Sequence, residues 1–419
     1  MKLLGAVCFF CGVMLGVGEL GATPLHIAFD REGEGLAIAQ AGVGLKGWGT
    51  GPRSLTLNVN GPVELAWLYW AGRELGCAID PDSGVCETPE EPYKDQILRV
   101  DGVPVTGVVL GTEFQPVSSR GPILNLAYGV DVTEQVRAKG TGRLTFRLTD
   151  AEPERNLSDL QGAGLLVVYT SPGGPVARVI GLHGLDLAHG EDFTPGETQS
   201  TQAVTFAHGA AKRERQGEMV LFLGGGQAGR RPDRIEVRHN PTLVDRLDSS
   251  SGAEWDVERF PVHVPGQVLS TTAQVLSEPW GKNPDSFLWV MAALWLPLPE
   301  PEGCAVQVWN NRKEWTGTGV APGQYLQDVF FESLPYGIGK VTLRGALRFR
   351  SESGLLGAAK ALVRDGTAAL LNATHLQTEY PYSRSQVIVL VDGALRSGDV
   401  VRMGELAELL REANGAGCR

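Results

Sequence analysis

The chain has 419 residues, 42% of them apolar, with 37 basic against 48 acidic side chains and a net charge of −11. An apolar share of that size fills a core and excludes extended disorder as the main state, and the length suits two or three domains. The acidic balance excludes a general nucleic-acid binder, which needs a basic footprint.

Met1-Lys2 followed by an apolar run to Val17 reads as a secretory signal peptide over residues 1–22. The run is about 15 residues, shorter than a bilayer-spanning helix, and no later run reaches ~18. The expectation is therefore a secreted or cell-envelope protein with no transmembrane span after signal removal. Four cysteines remain: Cys77, Cys86, Cys304 and Cys418. An even count in an exported chain implies two disulfides. Of the three pairings, we favour Cys77–Cys86, closing a short loop, and Cys304–Cys418, closing a long one. None of the four lies in a C-x-x-C pair, which argues against a zinc site.

Short Val/Leu-rich runs with Gly/Pro turns follow. Strands are predicted over residues 55–59, 63–70, 97–100, 103–105, 143–149, 164–169, 176–182, 202–206, 219–223, 235–238, 273–276 and 288–296. Asp101-Gly102 supplies a hairpin turn between the third and fourth of these. Residues 143–149 alternate strictly, as a strand with one wet face does. Residues 164–169 are apolar throughout, as in a strand buried on both faces. The 55 glycines read as tight turns. This gives a mainly β chain, a β-sandwich or jelly-roll region built as one large or two smaller sandwiches. We place a β-sandwich at residues 23–172, a second sandwich or a continuation of the first at 173–296, and a Pro/Glu linker at 297–303. Residues 304–419 turn helical and form a small disulfide-closed α-helical domain. Its segments are 324–332, 355–372, 385–396 with a Ser cap, and 400–413 with a stop at Gly415. Residues 341–350 fit a helix or a strand equally.

Two sets of motifs resemble known families. Ala41-Gly-Val-Gly-Leu-Lys-Gly-Trp-Gly49, Leu68-Tyr-Trp-Ala-Gly72, Asp131-Val-Thr133 and Gly162-Ala-Gly-Leu-Leu-Val-Val-Tyr169 resemble a secreted bacterial β-sandwich family of unassigned biochemical role. Gly303-Cys304, Trp309, Ala369-Leu-Leu-Asn-Ala373, Tyr380-Pro-Tyr382 and Gly417-Cys418 resemble a helical module at the ends of bacterial exported proteins. That module opens Gly-Cys-Thr-Pro-Gly-Tyr-Trp-Lys-Asn-His and closes Gly-Cys. Here the Pro-Gly turn, the Lys and the His are replaced. The resemblance implies fold and compartment, and no catalysis.

Several residue groups carry candidate chemistry. His183 and His189, with Asp186, Glu191 and Asp192 nearby, have metal-ligand chemistry. Their six-residue spacing sets them about 20 Å apart on an extended strand, so only a turn would converge them. Asp80, Asp82 and Glu91 fall at calcium-loop spacing, but Pro81 and the lack of flanking helices weaken the match. Calcium is the only cofactor the sequence raises. Gly224-Gly-Gly226 lacks the Lys-Ser/Thr of a phosphate loop and reads as a turn. Trp309 and Trp315, flanking Asn310-Asn-Arg312, fit either sugar stacking or core packing, with core the better fit.

The function class that follows is a non-catalytic exported protein for adhesion, matrix building or ligand binding. Its partner would be a cell-surface or matrix component, a glycan or a second copy. A secreted polysaccharide-acting hydrolase, or a self-assembling surface subunit, are the alternatives.

Overall fold

The computed structural model describes residues 23–46, 53–75, 78–79, 86–87, 94–115, 123–150, 158–189, 199–226, 233–277, 286–350 and 352–418. The segment read as a signal peptide, Cys77, Asp80, Asp82 and Glu91 lie outside these residues. Secondary structure is 46% strand and 24% helix, so the chain is mainly β with a C-terminal helical region.

In chain order the strands are β1 (Thr23–Glu34), β2 (Leu36–Gly44), β3 (Arg53–Val59), β4 (Val63–Leu75), β5 (Ala78–Ile79), β6 (Cys86–Glu87), β7 (Ile97–Val100), β8 (Val103–Thr106), β9 (Val108–Gln115) and β10 (Ile123–Asp131). The short helix α1 (Thr133–Lys139) follows, then β11 (Gly142–Asp150), β12 (Ser158–Thr170), β13 (Val176–Ala188), β14 (Val204–Ala207), β15 (Arg215–Gly224), β16 (Asp233–Val237), β17 (Leu243–Val244), β18 (Trp255–Val264), β19 (Ser270–Ser277) and β20 (Phe287–Pro297). The predicted hairpin forms between β7 and β8. Asp101 and Gly102 both hold positive φ, at 51° and 85°, as a two-residue turn that follows the strand twist requires.

The strands build four main antiparallel sheets, ordered β3-β11-β7-β8, β2-β12-β4-β10-β9, β1-β13-β20-β15-β18 and β14-β19-β16-β17. Three apolar cores separate them, so the sheets stack in four layers in that order. The first core holds Leu55, Trp70, Phe146 and Leu165, between the first and second sheets. The second holds Tyr69, Leu166, Phe222 and Val290, between the two central sheets. The third holds Leu221, Trp289, Phe206 and Val275, between the third and fourth. The layering explains the sequence pattern. Outer strands alternate, as β19 does with every second residue buried. Central strands are buried on both faces, so β20 and residues 164–169 are apolar throughout. Glycine serves close packing as well as turns: a Cβ on Gly162 would lie 2.3 Å from Trp255 Cγ, and one on Gly164 2.6 Å from Phe222 Cδ2.

β1 pairs with β13, so a strand from within residues 23–172 belongs to a sheet built mostly from residues 173–296. The strands of the two stretches share the middle core, as a continuation of the first sandwich would, which is one of the two arrangements the sequence left open. Periodicity does not predict β1, β2, β5, β6, β9, β10, β17 or β18. β18 carries Pro261, and it sits at a sheet edge, where proline costs no ladder bond.

The C-terminal part contains α2 (Val306–Asn311), α3 (Leu343–Ala346), α4 (Gly354–Thr374), α5 (Arg384–Ser397) and α6 (Val400–Asn414). Within residues 341–350 only Leu343–Ala346 are helical, as α3, where Thr342 Oγ1 accepts from Gly345 N and caps the turn. The segment 324–332 becomes two short 3-10 turns. The serine cap of α5 is Ser383, in a reciprocal box with Gln386. Cys304 and Cys418 are disulfide-bonded across a sequence separation of 114. The module docks at the start of β15. Lys212 Nζ donates to the carbonyls of Ala373 and His375 at the C-terminal end of α4, where a cation also meets the helix dipole favourably. Arg213 pairs with Glu302 at 2.8 Å, and its N–H donates to Glu379. Glu302 is buried, so the expected solvated linker is pinned at its end.

Candidate functional site

One group of buried polar side chains lies at one end of the central layer, at the opposite end of β15 from the helical module; another, around His208 and Arg215, lies at the module end. In the second sheet Glu113, Asn125 and Arg73 stand in register across β9, β10 and β4. The next strand, β12, has a bulge between Leu160 and Gly162, which places Gln161 beside this row. Across the layer, β13 has a register shift between His183 and Asp186, and Asp186 and His189 follow it. Opposite Gln161 runs Gly224-Gly225-Gly226. A Cβ on Gly224 would lie 2.1 Å from Gln161 Oε1, and one on Gly226 2.2 Å from Asp256 Oδ2. The triglycine is therefore a backbone segment on which buried polar side chains close, which explains a motif that is not a phosphate loop.

Asn125 Nδ2 donates to the Glu113 carbonyl, and His189 Nε2 lies 3.8 Å from Glu113 Oε1. Asp186 accepts from Gln202 N at 2.6 Å. Burial, opposed by that hydrogen bond and reinforced by the Glu113 charge, pushes the Asp186 carboxyl up to about 6. Burial likewise pushes Asp256 up to about 6, with Asp248 and Asp233 adding repulsion. Glu113 Oε2, Asn125 Oδ1, both amide atoms of Gln161, Trp255 Nε1 and Asp256 Oδ2 are buried with no hydrogen-bond partner among the described residues. Such atoms ordinarily cost about 1–3 kcal/mol each, and native proteins keep few.

The raised carboxyls set a pH dependence. A carboxyl whose folded value lies above its unfolded one binds more protons when folded, so stability is lost as pH rises from about 4 through about 6. His183, lowered to about 4 by burial and His26, acts in the opposite sense and loses stability as pH falls below its unfolded value. Asp186→Asn removes the buried charge and keeps an acceptor for Gln202. We expect it to raise stability at pH 8 by roughly 2 kcal/mol and to leave it nearly unchanged at pH 4. Thermal melts at the two pH values check this. An equal shift at both would show that Asp186 is not protonated on folding.

The sequence-predicted residues land as follows. His183 and His189 do not converge: His183 packs against His26, Trp67 and Tyr69, whereas His189 faces Glu113. The register shift in β13 turns them to different neighbours, and among the described residues no group of three His, Cys, Asp or Glu side chains forms a metal site. Trp309 and Trp315 are buried in the helical core, so neither offers a stacking face. Their indole N–H groups donate to Asn372 and to the Trp309 carbonyl. Cys86 lies in β6, paired with β5, and its expected partner Cys77 is outside the described residues. Sequence reasoning missed Glu113, Asn125, Gln161 and Trp255. Their only local signal is a polar residue interrupting an apolar strand. A concavity of about 300 Å³ lies where the module meets the β body, lined by Arg213, Arg215, Glu302 and Glu379 among others.

No known protein family matches the chain, and no curated protein matches it. Among solved structures it is similar to a chain of the crystal structure of plant peptide RALF23 in complex with FER and LLG2. The similarity has a TM-score of 0.21 and 9% identity over 64% of this chain and 88% of that one.

Proposed function

We propose that the chain is an exported, non-catalytic protein of the bacterial cell envelope or matrix that binds a polar ligand at the end of its central β layer. One observation carries this reading. The buried cluster of Glu113, Asn125, Gln161, Trp255 and Asp256 holds hydrogen-bonding atoms without a partner among the described residues, at the pole away from the helical module. Rigid sheets buried on both faces hold those groups in place, a general requirement for recognition. Carboxylates, carboxamides and an indole together suit hydroxyl-rich ligands such as glycans. The apolar N-terminal run and the Cys304–Cys418 bond support export. The motif resemblance supports a bacterial secreted family.

A specific observation favours one second reading. Asp186, raised to about 6 and facing Glu113, has the character of a general acid beside a second carboxylate, as in glycoside hydrolases. Pull-down of the full exported chain with insoluble chitin, cellulose and bacterial sacculi, with reducing ends assayed in parallel, separates the two. We expect retention without release of reducing ends, and retention roughly tenfold weaker in Glu113→Gln. Turnover abolished by Asp186→Asn would establish the hydrolase instead. Equal retention of wild type and Glu113→Gln would remove this end of the layer as the binding site.

A further inference from the structure

We propose that His26 and His183 form a two-imidazole binding site for a borderline divalent transition cation, with Cu²⁺ preferred over Ni²⁺ and Zn²⁺. The two residues are direct cross-strand partners on β1 and β13. Their rings lie 4.9 Å apart between centroids at 71°. An imidazole-bound metal sits about 3.2 Å from the ring centroid, given a metal–nitrogen bond of roughly 2.0–2.1 Å. Two such ligands at angles of about 90–110° therefore have centroids about 4.5–5.2 Å apart. The observed centroid spacing falls inside that range.

Backbone irregularities bracket the pair. β1 shifts register between Thr23 and His26 and again between Ile27 and Phe29, and β13 shifts just after His183. Bulges re-aim side chains and recur at functional sites. Here they leave His26 exposed on an edge strand, open to solvent and to an incoming ion. His183 is only 8% exposed, and its Nδ1 is buried without a hydrogen-bond partner among the described residues. Trp67 and Tyr69 wall the site, their ring centroids 5.3 and 6.0 Å from that of His183. Tyr69 Oη is likewise buried and unpartnered. Imidazole donors and the Irving–Williams order select copper among the divalent ions. Two protein ligands leave coordination positions for water or for a group from a bound molecule.

The test is calorimetric titration of the untagged full chain with Cu²⁺ in a non-coordinating buffer, with electron paramagnetic resonance of the complex. Expected is one Cu²⁺ per chain with hyperfine structure from two imidazole nitrogens. His26→Ala should weaken binding roughly tenfold or more without lowering the melting temperature, because His26 is exposed. His183→Gln should also lose the ion, while His189→Ala and His263→Ala bind as wild type does. Absence of stoichiometric uptake would overturn the proposal, and so would undiminished uptake in His26→Ala. The His26→Ala result decides the matter even if His183→Gln unfolds.

Discussion

Replacing Cys304 and Cys418 together by alanine is expected to destabilise the helical module by about 4–5 kcal/mol. The bond closes a loop with a sequence separation of 114. Chain-entropy estimates for loops of this length are about 4.7 kcal/mol, gained by restricting the unfolded state. The native ends meet without it: Gly303 N donates to the Gly417 carbonyl at 2.9 Å. Gly303 is required there, because a Cβ would lie 2.1 Å from the Ala413 carbonyl oxygen. The folded module should therefore keep its geometry, and the loss should appear as a lower denaturation midpoint. Urea unfolding followed by fluorescence, which reports the buried Trp309 and Trp315, measures it. An unchanged midpoint would show that packing alone holds the two ends.

Asn372→Ala should cost about 3–5 kcal/mol, comparable to the disulfide despite the small change in volume. Asn372 is fully buried on α4. Its Oδ1 accepts from Cys304 N at 2.8 Å and from Trp309 Nε1 at 3.0 Å. Its Nδ2 donates to the Cys304 carbonyl at 3.0 Å and to Asn414 Oδ1 at 2.8 Å. Asn414 in turn accepts from Tyr380 and donates to the Asp365 carbonyl. One carboxamide thus ties the first residues of the module to α4 and to the last turn of α6. Truncation leaves several buried donors and acceptors unpaired, and each then bears its desolvation cost. Chemical denaturation, with amide exchange at Trp309 and Cys304, reads the effect. A loss below about 1 kcal/mol would mean that other groups take over those bonds. The same network gives a physical reason for the Gly-Cys, Leu-Leu-Asn-Ala, Tyr-Pro-Tyr and Gly-Cys motifs: residues of all four meet around Asn372 and the closing disulfide.

Element type was largely legible because periodicity records how many faces of a segment are buried. Residues 143–149 alternate and form an outer strand. Residues 164–169 and 288–296 do not alternate and lie in the central sheets. Residues 355–372 repeat at helical spacing and form α4. Cysteine parity and spacing likewise predicted the Cys304–Cys418 bond. Burial, however, does not record what lies against a face. Nothing local in β1 says that Asp30 will pair with Arg178 or that His26 will face His183. Nor does any local pattern distinguish two separate sandwiches from four layers sharing a middle core.

The polar end of that core was hidden for the same reason. Gln161 reaches Gly224 only because β12 bulges, and Asp186 meets the Glu113 charge only because β13 and β9 lie across the same layer. The sequence by itself determined the mainly β body, most of its strands and the helices of the C-terminal part, since these follow from residue type and short-range spacing, and cysteine parity narrowed the disulfide to a few pairings. The tertiary structure alone decided the stacking order of the sheets and the side chains that meet between them, since both are set by register among strands far apart in the chain.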